Sequence, residues 1–482
     1  MLIEFRVKNF RSLKDEQVFS LVASADKTQL DTHASATGLR AAPHVLHSAV
    51  IYGANASGKS NLIKALQYMQ GVVLHSATLQ PGQRFEHLQP FRLDTATEQA
   101  PTEFEATFLH GGVRYQYGFA LTAERITSEY LLVYKAAKPQ QWFERTVEPA
   151  PDTPGAQTAP HTSTGSSSSN PASNSTDRYD FGPGLKGTKA IWQQATRPNA
   201  LFLSTAVQLN SEALRPIYDW FAHQLFILNE QARLSLDHTI QKLKQQAPRQ
   251  AICSLIRSAD ISIDNIDVVP RQARVQNIRL DPVTGASIED PHEQEVDQLK
   301  FHHATASGSA TFDLSDESAG TRELLALTGP MLDILAGGQT LVVDELDSSL
   351  HTLLVRQLVR MFHRPALNPH GTQLIFTAHD TSLLDAHGLF RRDQIWFVDK
   401  AANQASTLFP LTDFSPRKGE ALEKGYLQGR YGGIPVLDME SPGTPQQTWS
   451  TVQLASPMEQ ADVLMEPSPE NHPAEASNHG AR

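Results

Sequence analysis

Residues 52–66 read YGANASGKSNLIKAL, and within them Gly53, Gly58, Lys59 and Ser60 complete the pattern G-x-x-x-x-G-K-S. The chemistry such a stretch supports is phosphate binding. Glycines let the backbone turn tightly and point successive N–H groups at an anion, and the helix that follows adds the positive end of its dipole. A lysine at this place neutralises the β- and γ-phosphates, and the hydroxyl after it ligates Mg²⁺. The spacing therefore predicts a nucleotide cradle made from Gly53, Ala54, Asn55, Ala56, Ser57, Gly58, Lys59, Ser60 and Asn61, with Ser60 as a metal ligand.

Three further stretches carry chemistry downstream. TLVVDELDSSLH, 340–351, has four residues of β character ending in Asp344–Glu345. Asp344 is expected to hold Mg²⁺, and Glu345 to act as the general base for the water that attacks the γ-phosphate. TQLIFTAHD, 372–380, is a second apolar run, ending at His379, whose imidazole is placed to sense the γ-phosphate. In SDESAGTRELLAL, 315–327, the small residues Ser318, Ala319 and Gly320 open a helix, so backbone N–H groups there face either a phosphate or only their own cap, Ser318.

These residues need strands and helices to hold them. LIEFRVKNF alternates apolar and polar side chains from Leu2 to Phe10, and SAVIY, 48–52, leads straight into the glycine loop. KSNLIKALQYM then places Leu62, Ile63, Leu66 and Met69 on one helical face. Strand, glycine loop and helix are the context a phosphate loop requires. From 86 to 147 the pattern is of strands, with a hairpin at Gly111–Gly112. The Pro-, Ser- and Thr-rich stretch near 149–177 cannot bury a core. Residues 189–258 carry helical periodicity without the heptads of a long coiled coil, and 261–313 reads as strands with acidic turns.

The expected fold is α/β, with divisions at 1–147 (phosphate loop and an antiparallel β subdomain), 148–188 (flexible insertion), 189–313 (helical and strand insertion), 314–437 (second half of the nucleotide-binding head) and 438–482 (disordered acidic tail). KGYLQGRYGGIPVL, 424–437, reads more simply as a segment folded back with Ile434 and Val436 buried than as a basic loop for nucleic acid. Arg391 and Arg392 read as solvated charges. No apolar run reaches the length of a membrane span, and the charged start is unlike a secretory signal. With a single cysteine, Cys253, expected buried, this points to the cytoplasm. A net charge of −11 argues against a uniformly basic nucleic-acid coat.

The order of phosphate loop, ESAGT, LVVDE, LDSSLH and FTAHD resembles that of ABC-type ATPases, and the opening FRVKNFRSLKD resembles the RecF, chromosome-maintenance and OLD branch. LFLSTA, RRDQIWFVDK and KGYLQGRYGG bring the likeness closest to prokaryotic AAA-type ATPases of the abortive-infection and retron or PARIS-like defence class. The resemblance implies a P-loop NTPase head of ABC type, with ATP and Mg²⁺ as cofactors. It implies at least a homodimer, in which Ser318 and Gly320 of one copy serve the γ-phosphate held by the other. It makes Asp347 the link between the two sites, and puts Gln89, in HLQPFRL, where a glutamine could reach the metal. Arg11 is a weak candidate for contact with the base. A Toprim nuclease domain finds no room after residue 400, so a nuclease- or toxin-like effector would be a separate partner. A DNA-repair ATPase of RecF type is the alternative, and leaves DNA open as a partner. A transporter subunit is disfavoured by the 258 residues between Lys59 and Ser318.

Overall fold

The computed structural model describes residues 1–434 except 137, 149–175, 229–234, 259–262, 281–286, 349 and 418. The Ser-rich stretch and the acidic tail anticipated from composition lie outside those residues, as does Val436.

The strands run β1 (Leu2–Lys8), β2 (Gln17–Ser20), β3 (Ala34–Ala36), β4 (His44–Leu46), β5 (Ser48–Gly53), β6 (Thr102–His110), β7 (Val113–Leu121), β8 (Ile126–Tyr134), β9 (Gln140–Glu148), β10 (Thr176–Phe181), β11 (Leu225–Leu228), β12 (Asn265–Leu280), β13 (Ser287–Thr305), β14 (Gly308–Asp313), β15 (Thr340–Val343), β16 (Gln373–Thr377), β17 (Ile395–Lys400) and β18 (Ser406–Pro410). Seven form an antiparallel sheet in the order β10-β9-β8-β7-β6-β1-β2. Six form the second large sheet, β11-β15-β16-β5-β17-β18, parallel except at the β17–β18 pair.

Alternation explains how the parallel sheet is covered. Ala49, Ile51, Val342, Ile375 and Val398 join the core shared with the antiparallel sheet and the helix Lys59–His75. Their neighbours Val50, Tyr52, Leu341, Phe376 and Phe397 join the opposite core, under the helices Ala319–Gly337 and Thr352–Phe362. A strand that packs on both faces must be apolar throughout, which is why SAVIY and TLVV read as continuous runs. Leu62, Ile63, Leu66 and Met69 are all buried on the inner side of their helix. The hairpin turns at Gly111 and Gly112 with φ of 57° and 74°, the left-handed pair a two-residue type I′ turn requires.

The antiparallel sheet has a polar centre. Arg145 on β9 is fully buried, donating to Asp177 Oδ2 at 2.6 Å and to Ala200 O at 2.6 Å. Glu129 on β8, also fully buried, accepts from the N–H groups of Phe202 and Leu203 at 2.6 and 2.9 Å and from the Tyr117 hydroxyl at 2.9 Å. This network pins the helix Phe202–Gln208 to the sheet.

Three expectations need correction. The insertion is shorter than 148–188, because Thr176–Phe181 pairs with β9 as β10 and Asp177 is needed by Arg145. Within the helical stretch 189–258, Leu225–Leu228 is β11, an edge strand of the parallel sheet beside β15. A four-residue apolar run has no period of its own, so sheet-edge pairing decides its state. Arg391 is buried, not solvated, and donates to Asp393 Oδ2 at 2.7 Å and to the carbonyl of Asp26 at 2.8 Å. Cys253 is buried as expected.

The segment 420–434 folds back onto the head. Tyr431 is fully buried, and Phe397 stacks on both Tyr426 and Tyr431 at ring separations of 5.3 and 5.7 Å. Ile434 is half-buried. Gly433, at φ 67°, lies so close to β5 that a Cβ there would stand 3.6 Å from the Cα of Gly53. The folded-back reading of this segment is the one the geometry supports.

Candidate nucleotide site

Strand order brings the chemistry together. β16 lies between β15 and β5, so the ends of three parallel strands deliver the Asp344–Glu345 turn, the Thr377–His379 turn and the glycine loop to one edge. Ligands in such sheets bind beyond the carboxyl ends of the strands.

The loop from Gly53 to Gly58 is built without spare room. A Cβ on Gly53 would stand 2.5 Å from the carbonyl oxygen of Val398, and Gly58 sits at φ 112°, where a side chain would run into Ser12 and Ser406. Ala56, at φ 61°, turns the chain inside the loop. Two residues that sequence reasoning missed, Ser12 and Ser406, brace it from outside. Asn61 Nδ2 donates to Ser12 Oγ at 2.7 Å, the Ser12 and Ser406 hydroxyls are hydrogen-bonded at 2.7 Å, and Ser406 Oγ donates its one hydrogen to the carbonyl of Ser57. Nearly four hundred residues separate Ser12 from Ser406, so no local pattern could have shown the contact.

Lys59 is buried at the first turn of the helix Lys59–His75, its Nζ donating to Gly53 O at 2.8 Å and Ala54 O at 3.2 Å. Burial lowers its pKa, while the carboxylates of Glu345, Asp344 and Asp347 act in the opposite sense. Ser60 Oγ donates to Asp344 Oδ1 at 3.1 Å, and Thr377 Oγ1 donates to the same oxygen at 2.8 Å. Glu345 has φ 55°, and its N–H donates to Thr377 Oγ1 at 2.7 Å. The side chains of Glu345 and His379 face each other, Oε1 to Nε2, at 3.3 Å. Asp347 Oδ2 accepts the backbone N–H groups of His379 and Asp380 at 2.7 and 2.6 Å.

Between these elements lies a cavity of about 650 Å³, lined by the loop residues 55–61 with Lys64, Glu345 and His379. Lys64 was not anticipated, although it stands one helical turn beyond Ser60 and so shares its face. Ser318 and Gly320 are not part of this lining. Ser318 caps the helix Ala319–Gly337, accepting from the N–H of Thr321 at 3.0 Å. Gln89 is not brought to it either. Its carbonyl accepts the N–H of Arg11 at 2.7 Å, and the next turn is tied through Phe91 N–H to Asn9 Oδ1 at 3.0 Å, which holds the loop on β1's end. Arg11 instead lines a second, more apolar cavity of about 660 Å³ on the outer face of the phosphate-loop helix, with Phe10, Tyr68 and Phe85.

The donor set fits a triphosphate with a hard cation. The glycine loop presents its backbone beside the Lys59 ammonium, and one hydroxyl plus one carboxylate oxygen, those of Ser60 and Asp344, make the small, oxygen-only ligand set that Mg²⁺ shares with phosphates and water. A family model described as "AAA domain, putative AbiEii toxin, Type IV TA system" matches residues 48–385, more than two thirds of the chain. The chain belongs to this family. The match spans all three strand ends of the site, from β5 through β15 to the turn after β16. The protein is thus an AAA-domain protein, with its phosphate loop at the end of β5.

Among solved structures the chain is similar to the "SMC head domain from Thermotoga maritima", at 13% identity and a TM-score of 0.35, over 85% of this chain and 98% of that one. It is likewise similar to an SMC head bound to the C-winged helix domain of ScpA, at 10% identity and a TM-score of 0.34, over 85% of this chain and 97% of that one. At those scores the likeness adds nothing to the strand order seen directly. No curated protein matches the chain. Among the described residues, no helix is long and apolar enough to cross a membrane.

Proposed function

We propose that the protein binds ATP with Mg²⁺, hydrolyses it, and uses the nucleotide to clamp two copies of itself together, so controlling a partner effector protein. The observation that carries the ATPase reading is the convergence of Lys59, Ser60, Glu345 and His379 on one cavity, with Asp344 bonded to Ser60 at its edge.

In this reading the backbone N–H groups of 54–60 cradle the phosphates and Lys59 leaves its two carbonyl partners to neutralise them. Ser60 and Asp344 hold Mg²⁺, which supplies charge neutralisation at the phosphate oxygens. Glu345 Oε1 accepts the proton of the water that attacks the γ-phosphorus as the bond to ADP breaks. His379, already within reach of Glu345, keeps that water and the γ-phosphate aligned.

The helix that Ser318 caps has its N-terminus outside the cavity of its own chain, which supports the reading that Ser318 and Gly320 complete the site of a second copy. Asp347, gripping the His379 turn, would then report one site to the other. The family description names a toxin–antitoxin system, and this supports an effector protein as what the clamp controls and phage defence as its setting.

Glu345→Gln is the test. It should bind ATP, turn over at least about a hundredfold slower, and double the mass in light scattering only when ATP is present. Lys59→Ala should bind no ATP and stay at the lower mass. Hydrolysis at the wild-type rate by Glu345→Gln would remove Glu345 as the base. An unchanged mass with ATP would remove the clamp.

A further inference from the structure

Thr377 has no role in the motif reading, yet three hydrogen bonds run from it to the acidic turn after β15. Its Oγ1 accepts the N–H of Glu345 at 2.7 Å and donates to Asp344 Oδ1 at 2.8 Å, while its carbonyl accepts the N–H of Leu346 at 3.2 Å. The residue is fully buried.

The direction of each bond is forced. The Glu345 N–H can only donate, so it occupies a lone pair of the Thr377 hydroxyl. The single hydroxyl hydrogen is then left for the carboxylate of Asp344. One hydroxyl thereby ties the backbone of the base to the side chain of the metal ligand. Charge-assisted bonds of this kind are stronger than neutral ones, and burial strengthens them further.

Glu345 needs such a tie. Its φ of 55° lies in the left-handed region, which costs a residue other than glycine about 1 kcal/mol. The β15–β16 ladder ends at the pair Val343 and Phe376, so the turn has no ladder bonds of its own. On its other side only the Asp344 N–H is held, by Leu228 O at 2.9 Å on β11. Without the Thr377 hydroxyl the Glu345 N–H loses its acceptor and the residue keeps only its carbonyl's bond from the Ser348 N–H, at 3.0 Å, against its strained backbone, and Asp344 Oδ1 keeps only the Ser60 hydroxyl, the group that must turn to the metal.

We propose that Thr377 is a positioning residue for hydrolysis, setting the aim of Glu345 and the orientation of Asp344 toward Mg²⁺ through one bridging hydroxyl. This rests on the ATPase reading above.

Thr377→Val keeps the shape and removes both hydroxyl bonds, and Thr377→Ser keeps them. Two measurements decide: binding of a fluorescent ATP analogue with and without Mg²⁺, and steady-state phosphate release against free Mg²⁺. Thr377→Val should bind the Mg²⁺-free analogue within about twofold of wild type, lose most of the affinity gained on adding Mg²⁺, and show kcat lower by about tenfold or more even at saturating Mg²⁺ and nucleotide. Thr377→Ser should recover kcat and the Mg²⁺ effect to within about threefold. The proposal is overturned if Thr377→Val matches wild type in kcat and Mg²⁺ requirement, if Mg²⁺-free binding falls as far as turnover does, or if Thr377→Ser fails to recover either quantity. Wild-type protein assayed beside Lys59→Ala separates the two readings. No Lys59-dependent phosphate release would sink the ATPase reading and this inference with it, whereas an active wild type equalled by Thr377→Val sinks this inference alone.

Discussion

Asp347 holds the turn of His379 by its backbone, with Oδ2 accepting the His379 N–H at 2.7 Å and the following N–H, of Asp380, at 2.6 Å. The other oxygen of this carboxylate, Oδ1, is buried and has no partner among the described residues. Asp380 is fixed in turn by Tyr52, whose hydroxyl donates to its carbonyl at 3.1 Å. A carboxylate therefore sets the histidine's place without touching its ring.

Asp347→Ala should free both N–H groups and let the imidazole drift from Glu345. Hydrogen bonds to a charged acceptor contribute about 1.5–3 kcal/mol each, so a fall in kcat of about tenfold or more is expected. ATP affinity should hardly move, since no phosphate-loop bond is lost. Single-turnover kinetics beside an equilibrium binding measurement checks both halves. Turnover at the wild-type rate would show that the turn does not depend on Asp347.

Gly58 offers a contrast between strain and collision. Gly58→Ala adds a Cβ that meets Ser12 and Ser406 as well as an unfavourable φ of 112°. Gly111→Ala adds only the strained φ of 57°, because nothing lies within 4 Å. Gly58→Ala should therefore weaken ATP binding by about tenfold or more, while Gly111→Ala costs about 1 kcal/mol of stability and leaves binding alone. Calorimetric titration and thermal melts of the pair would separate the two effects.

Acid should loosen the fold through three histidines. The rings of His33 and His363 stack at 3.8 Å, and His47 packs nearby with Nδ1 donating to Thr32 O at 3.0 Å and Nε2 bonded to Ser35 Oγ at 2.7 Å. Burial pushes the pKa of all three down, His47 to about 4. The folded value lies below the unfolded one, so the neutral form's stabilisation is complete above the unfolded pKa and is lost as pH falls toward the folded value. His47 alone should contribute about 3 kcal/mol less at pH 4 than at pH 7. Chemical denaturation across that range should show the decline, and His47→Gln should flatten it. A slope unchanged by the substitution would assign the acid sensitivity elsewhere.

The parts of the site that are contiguous in sequence were legible. A phosphate loop needs glycines, lysine and serine in fixed order because the backbone itself is the ligand, and that order survives as text. The buried strands before Asp344 and His379 read as apolar runs for the same reason, since both faces of a parallel sheet are covered. Gln89 could not be judged from spacing, because its carbonyl is engaged by a residue 78 positions earlier, Arg11. Leu225–Leu228 could not be told from a helix, because only the neighbouring β15 makes it a strand.

By itself the sequence determined which residues are able to bind phosphate, metal and a proton, because those abilities belong to side chains and to short backbone patterns. Only the tertiary structure decided how they are aimed. Placing β16 between β15 and β5 puts Thr377 against both Asp344 and Glu345, and the β17–β18 pair on the other side of β5 brings Ser406 to Ser12 behind the loop. Such contacts join segments from 32 to 394 residues apart, and hydrogen bonding there depends on strand order and register, which no local pattern encodes.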